Sequence, residues 1–341
     1  MPVFRVALLL LCALAAGACS AESAFTAAAS LGRGVNFGNM LDAPREGDWS
    51  RRARDVDIDR VAEAGFATIR LPVRFSNHAD AEPPYRLDPD FMARIDHIVD
   101  RAVADHLSII LDFQAYRQIY GEPLDPNESA VEPGLVEERF VALWAQLAEH
   151  FHDRPKQVLY ELLNEPHGTL TPDRWNALLR RTLAAVREHD PERMVLVGPG
   201  ESNIAQYLGK LDLPDDPALI VTIHDYAPTA FTFQGANWME HPPPAGTTCC
   251  DRGQIAEIVL PLDIAAAWGR QHHRPIYLGE FGAIDRADLE SRAVFTRAVR
   301  DAAEQRGMSW AYWEFDAGFG VYDLKARNWV EPIRDALLGP K

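Results

Sequence analysis

The sequence predicts a single-domain α/β fold, a (β/α)8 or TIM barrel, and three observations carry that expectation. The chain has 341 residues, 47% of them hydrophobic, enough for one large core and within the usual size of such barrels. Eight short apolar runs recur along it, continuous rather than alternating, as parallel strands buried on both faces require. Between them lie longer stretches with the period of an amphipathic helix.

Residues 1–18 read as an export signal. After MPVFR comes VALLLLCALAA, too short to span a bilayer as a helix, and then the small residues Ala16-Gly17-Ala18. A cut before Cys19 suits ordinary secretion, yet AGAC also resembles a bacterial lipobox, with Ala16 where Leu is usual. The expected location is therefore outside the cytoplasm: secreted, periplasmic, or anchored to the outer membrane through a lipid on Cys19. Residues 19–30 are expected to be a flexible tether and residues 31–341 the folded domain.

The strand candidates follow in order: LGRGVNFGN from Leu31, ATIRLPV from Ala67, LSIILDF from Leu107, VLYELLNEP from Val158, MVLVGPG from Met194, LIVTIHDY from Leu219, PIYLGEFG from Pro275 and MSWAYWEF from Met308. Helix period is plainest in DPDFMARIDHIVDRAVADH, which places Phe91, Ile95, Ile98, Val99 and Ala102 on one face. It recurs in DLESRAVFTRAVRDAAEQ with Leu289, Phe295, Ala298 and Ala302.

Charge and motifs narrow the function. With 50 acidic against 34 basic residues the formal charge is −16, which disfavours a nucleic-acid partner because phosphate binding needs a basic surface. No zinc, calcium, phosphate-loop or dinucleotide spacing occurs, so neither cofactor nor metal is expected. Cys249 and Cys250 are adjacent, a poor geometry for a bridge or a metal, and read as two loop thiols. A monomer is assumed.

The chemistry lies at the C-terminal ends of the strands, the face on which barrels of this class carry their sites. Those ends supply Asn39, Arg70 with Pro72, Asp112-Phe113-Gln114, Asn164-Glu165, His224 with Tyr226, Glu280 and Trp313. Glu165 and Glu280 follow the fourth and seventh strands and should face each other across the mouth. Paired carboxylates of this kind hydrolyse glycosides: one protonates the leaving oxygen while the other attacks the anomeric carbon or activates water. Their spacing, which selects retention or inversion, is not readable from sequence.

Six ordered blocks then resemble glycoside hydrolase family 5, especially its bacterial endo-β-1,4-glucanases that also act on mannans: GRGVNFGNMLDAPREGDW, GFATIRLPVRFSNHA, LLNEPHGTLTPDRWN, VTIHDYAPTAFTFQGANW, RPIYLGEFGA and WAYWEFDAGFGVYD. The resemblance spans residues 31 to 338. It implies a retaining endo-acting enzyme for β-1,4-linked glucan, glucomannan or mannan, with Glu165 as acid/base and Glu280 as nucleophile. It also implies that Asn164 holds the sugar 2-hydroxyl, that Arg70 and Tyr226 keep Glu280 ionised by lowering its pKa, and that His224 sits between the carboxylates. Trp313 is the implied floor of the cleavage subsite, Trp238 a wall further along, and Asn39 and Asp42 partners for sugar hydroxyls. An exo-acting or transglycosylating β-glycosidase and a non-catalytic carbohydrate-binding protein are the alternatives.

Where this family usually has His-His-Tyr, the chain has Gln114-Ala115-Tyr116, followed by the long loop RQIYGEPLDPNESAVEPG. Phe233 likewise stands where a histidine is common. The loop is expected to fold over the space beside Gln114 and Ala115 and to bring Tyr116, Arg117 or Tyr120 toward the cleft.

Overall fold

The computed structural model of the protein describes residues 24–125 and 128–340. Helix α1 (residues 24–31) leads into β1 (Arg33–Asn36), α2 (Asp55–Ala64), β2 (Thr68–Val73), α3 (Pro89–Ala104) and β3 (Ser108–Phe113). A single turn, α4 (Arg117–Tyr120), precedes α5 (Val136–Phe151), β4 (Val158–Glu161), α6 (Pro172–His189), β5 (Val195–Val197) and β6 (Leu219–His224). Another turn, α7 (Thr229–Thr232), is followed by α8 (Arg252–His272), β7 (Ile276–Glu280), α9 (Leu289–Gln305) and β8 (Ser309–Tyr312). A two-stranded ribbon, β9 (Tyr322–Asp323) with β10 (Asn328–Trp329), and α10 (Glu331–Leu338) complete it. Strands β1 to β8 pair in parallel in chain order and β8 closes on β1, so the expected (β/α)8 barrel is present.

Local chemistry places the element ends. Asp88 caps α3 by accepting from the backbone of Asp90 at 2.9 Å, with Pro89 opening the helix. Asp251 and Gln254 form a capping box on α8, and Asp288 caps α9 through Ser291 N at 2.8 Å. Phe91, Ile95, Ile98, Val99 and Ala102 of α3 are buried as their period predicts. In α9, Phe295 and Ala302 are buried, whereas Leu289, the first helical residue, is 43% exposed.

Four expectations need correction. Residues 24–30 are not a tether: they belong to α1, whose Ala28 and Leu31 pack against Ile110, Leu159, Leu196, Ile220, Tyr277 and Ala311. Those strand residues lie toward the N-terminal ends, so α1 plugs the bottom of the barrel, and Leu31 O accepts from Thr68 Oγ1 at 2.6 Å. The small side chains that suggested disorder are what let the helix seat closely. Second, β4 ends at Glu161, so Asn164 and Glu165 stand on a loop rather than a strand. Third, Cys249 and Cys250 are joined as a disulfide, their Cα atoms 3.0 Å apart across a cis peptide. Fourth, the fifth strand is followed by a 3-10 segment, Ala205–Lys210, instead of a full helix. The expected signal, with Cys12 and Cys19, lies outside the described residues.

The plug is testable. Leu31→Ala is expected to lower unfolding stability by about 2–5 kcal/mol, whereas Phe25→Ala, at a side chain 47% exposed, should stay within about 0.5 kcal/mol, both read by urea denaturation.

Candidate active site

Arg70 rises from β2 into the barrel interior with no solvent exposure. A buried cation is tolerated only when every donor is matched, and here the partners come from four other strands and a loop. Nε and Nη2 grip Glu161 of β4 at 2.7 and 3.0 Å, Nη1 reaches Glu280 Oε1 of β7 at 2.7 Å and Asn36 Oδ1 of β1 at 3.0 Å, and Nη2 donates to Asn164 Oδ1 at 2.9 Å. Asp112 of β3 lies 3.2 Å from Nη2. With its oxygen occupied by Arg70, Asn164 retains its amide N–H groups for another acceptor.

The second oxygen of Glu280 accepts from Tyr226 OH at 2.7 Å. His224 Nδ1 lies 2.7 Å from Glu165 Oε1 and 3.8 Å from Glu280 Oε2, so the imidazole bridges the carboxylates as expected. Gly279 makes room for it: a Cβ there would fall 2.6 Å from Thr222 Oγ1 and 3.0 Å from His224 Nε2. Glu165, Glu280 and His224 each place one ligand-capable atom within 4.8 Å of the others. Arg70, Tyr226 and the His224–Glu165 contact already engage these atoms, which suits proton transfer better than metal binding.

Burial governs the protonation of this cluster. It pushes Asp112 well above the usual carboxylate range, against the lowering influence of Arg70 and with Glu161 and Glu280 adding to the rise. Burial also raises Glu280, with Glu165 adding, against the lowering influence of His224, Arg70 and Tyr226. That corrects the expectation of a lowered value: the cation and phenol are in place, but complete desolvation outweighs them. Burial alone would lower His224, yet the charges of Glu280 and Glu165 raise it. Tyr226 is held far above its ordinary range, first by burial and then by Glu280, and remains a donor.

Around this centre the other expected residues divide. Trp313 is half-buried, its ring lying over Gly38, where a Cβ would come within 2.7 Å of it. Trp238 is 58% exposed at the rim, with its ring 6.0 Å from Phe319 and 6.4 Å from Phe233. Phe233 in turn packs 4.9 Å from Tyr226. Asn39 follows β1 in a left-handed backbone (φ 63°) beside Glu314, which burial pushes up to about 8. Asp42 is buried, pushed up to about 6 by desolvation, and keeps one oxygen without a partner. Gln114 is half-buried with Oε1 unpartnered.

Tyr116 does not reach the cleft. It is fully buried, accepts from Arg139 Nη1 at 3.1 Å and stacks on Phe113, so it is a core residue. Nor does Tyr120, also buried, whose hydroxyl donates to Asn164 O at 2.8 Å. Arg117 folds onto Asp125 and Glu122 at 2.8 and 3.1 Å, and Asp125 also pairs with Arg74. Glu161, Asn36 and His167 escaped the sequence reading, which named Tyr120 but aimed it at the cleft. Only Glu161 carried a signal, a lone acid inside the apolar run VLYELL.

Comparison with known proteins places this arrangement. The family model described as Cellulase (glycosyl hydrolase family 5) matches residues 31–318. Endoglucanase H of Acetivibrio thermocellus is 31% identical over 91% of this chain, and Endoglucanase A of Clostridium longisporum 27% over 94%. The chain spans only 33% and 66% of their respective lengths. Among solved structures, an endoglucanase superposes with a TM-score of 0.88 at 37% identity, covering 93% of this chain and 100% of its own. Thermotoga maritima Cel5A, solved with cellobiose and with mannotriose, superposes with a TM-score of 0.87 at 38% identity, covering 92% of this chain and 99% of its own.

Replacing Arg70 by Met should expose how the cluster is balanced. With its cation gone, Arg70→Met is expected to cost about 3–5 kcal/mol near neutral pH by chemical denaturation, and less at about pH 4, where protonated carboxyls no longer need a cation.

Proposed function

Because the chain belongs to glycosyl hydrolase family 5, we propose that it is a retaining, endo-acting hydrolase of β-1,4-linked polysaccharide, with β-glucan as substrate and glucomannan or mannan as further substrates. The observation that carries this reading is the facing pair Glu165 and Glu280, whose nearest oxygens, with the His224 nitrogen, lie within 4.8 Å. Separations of about 5 Å suit a covalent intermediate, whereas inversion needs a wider gap of about 6.5–9.5 Å for water. The names of the relatives, and the cellobiose and mannotriose complexes of the Thermotoga protein, support the substrate class.

In this reading Glu280, aimed by Arg70 and Tyr226, attacks the anomeric carbon while Glu165 gives its proton to the departing glycosidic oxygen. The bond to that oxygen breaks and a glycosyl ester forms on Glu280. Glu165 then takes a proton from water, which attacks the same carbon and releases Glu280 as a carboxylate. His224, touching both acids, stabilises the exchange of charge between them. The free amide of Asn164 suits the sugar 2-hydroxyl, Trp313 and Trp238 offer flat apolar faces to pyranose rings, and Asn39, Asp42 and Gln114 supply polar partners. The described part of the loop after β3 is tied down by Arg74 and His167, which favours an open groove and hence internal cleavage.

Glu165→Gln and Glu280→Gln are each expected to lower kcat by about 10²- to 10⁴-fold with the fold intact. Proton NMR should show the β-anomer first from a β-linked oligosaccharide; an α-anomer, or activity within about tenfold of wild type in either variant, contradicts the assignment. Azide separates the roles, giving a retained glycosyl azide with the Glu165 variant and an inverted one with the Glu280 variant. Export is proposed on the leader alone, with Cys19 as the candidate lipid site. Cys19→Ser should move the protein from membrane to soluble fractions, and unchanged partitioning favours plain secretion.

A further inference from the structure

Glu165 stands four residues beyond the last residue of β4, on a loop, in a left-handed backbone conformation (φ 46°) that side chains other than glycine seldom adopt. Such a conformation persists only where neighbours hold it. Both peptide carbonyls that flank the Glu165 Cα are held by named side chains. The carbonyl before it, Asn164 O, accepts from Tyr120 OH at 2.8 Å. The carbonyl after it, Glu165 O, lies 2.6 Å from His167 Nδ1.

The imidazole is fixed in turn. Its Nε2 is 3.1 Å from Glu122 Oε1, and its face stacks on the Tyr120 ring at 4.1 Å between centroids. Glu122 is itself held by Arg117 at 3.1 Å. The loops after β3 and β4 interlock at this point: Thr169 N donates to Tyr120 O at 2.9 Å, and a Cβ on Gly168 would fall 2.4 Å from that same oxygen. Neither His167 nor Tyr120 hydrogen-bonds the carboxyl group of Glu165 or of Glu280.

We propose that Tyr120 and His167, with Glu122 behind them, are positioning residues for the acid/base Glu165: they set the peptide planes on either side of it and so aim its carboxyl at the glycosidic oxygen. The described part of the long loop after β3 therefore acts on the chemistry through the backbone of Glu165. This rests on the assignment of Glu165 as acid/base. Misplacement of a proton donor by about 1 Å can cost about 10²-fold. The cost must depend on the leaving group, because a good one departs without help from the acid.

The test compares kcat/KM on phenyl and dinitrophenyl β-cellobiosides. His167→Ala should lower kcat/KM about 10- to 100-fold on the phenyl glycoside and less than about threefold on the dinitrophenyl one, while kcat and KM for the latter fall together because release of the glycosyl-enzyme also uses Glu165. Tyr120→Phe, which keeps the stacked ring, should show the same selectivity at about 3- to 10-fold. His167→Asn, whose amide can replace the Nδ1 donor, should recover to within about fivefold of wild type on both. Equal losses on the two aglycones, or no loss on phenyl, overturn the positioning role. Glu165→Gln serves as the reference: if it shows leaving-group selectivity and the His167 and Tyr120 variants do not, only this inference falls. If Glu165→Gln lacks that selectivity, the acid/base assignment itself falls.

Discussion

One guanidinium, sealed inside the barrel, ties the fold to its candidate chemistry. Desolvating an isolated cation costs several kcal/mol, and Arg70 offsets that penalty because β1, β3, β4 and β7 each deliver a partner to it. Closure of the sheet is what brings Asn36, Asp112, Glu161 and Glu280 around it, so strand register and the aim of Glu280 are not separable properties. Three buried carboxylates against one cation leave an excess of negative charge. Of the three, Asp112 lies furthest from the guanidinium, at 3.2 Å against 2.7 Å for Glu161 and for Glu280.

The two acids are held by different kinds of structure. Glu280 ends a strand, and all its partners project from the barrel or the turn beside it. Glu165 stands on a loop, and its backbone depends on the neighbouring loop and on the interlock at Gly168. The candidate acid/base is thus mounted on a loop, the candidate nucleophile on a strand end. The interlocked loops replace with packing and hydrogen bonds what a strand would have provided.

Much of this was legible in the chain, for identifiable reasons. Continuous apolar runs marked the strands because both faces of a parallel sheet are covered. Glu165, Glu280, His224 and Tyr226 stood out because polar residues directly after such runs have nowhere to point but the mouth. The reading failed where direction mattered more than position. Tyr116 and Tyr120 are both buried, the one hydroxyl bonded to Arg139 and the other to the carbonyl of Asn164. Glu161 looked like part of a core run, because its partner, Arg70, is 91 residues away. The alanines of α1 resembled a linker, since only a barrel floor of fitting shape turns small residues into a seat.

Helix α1 closes the end of the barrel opposite the candidate site, and this gives the molecule a polarity along its axis. Five peptide steps separate Cys19 from residue 24, a span of at most about 18 Å when fully extended. A lipid on Cys19 would therefore hold the barrel floor against the membrane with the groove turned outward. A polymer in the surrounding medium could then be gripped along its length without competing with the bilayer for the same face.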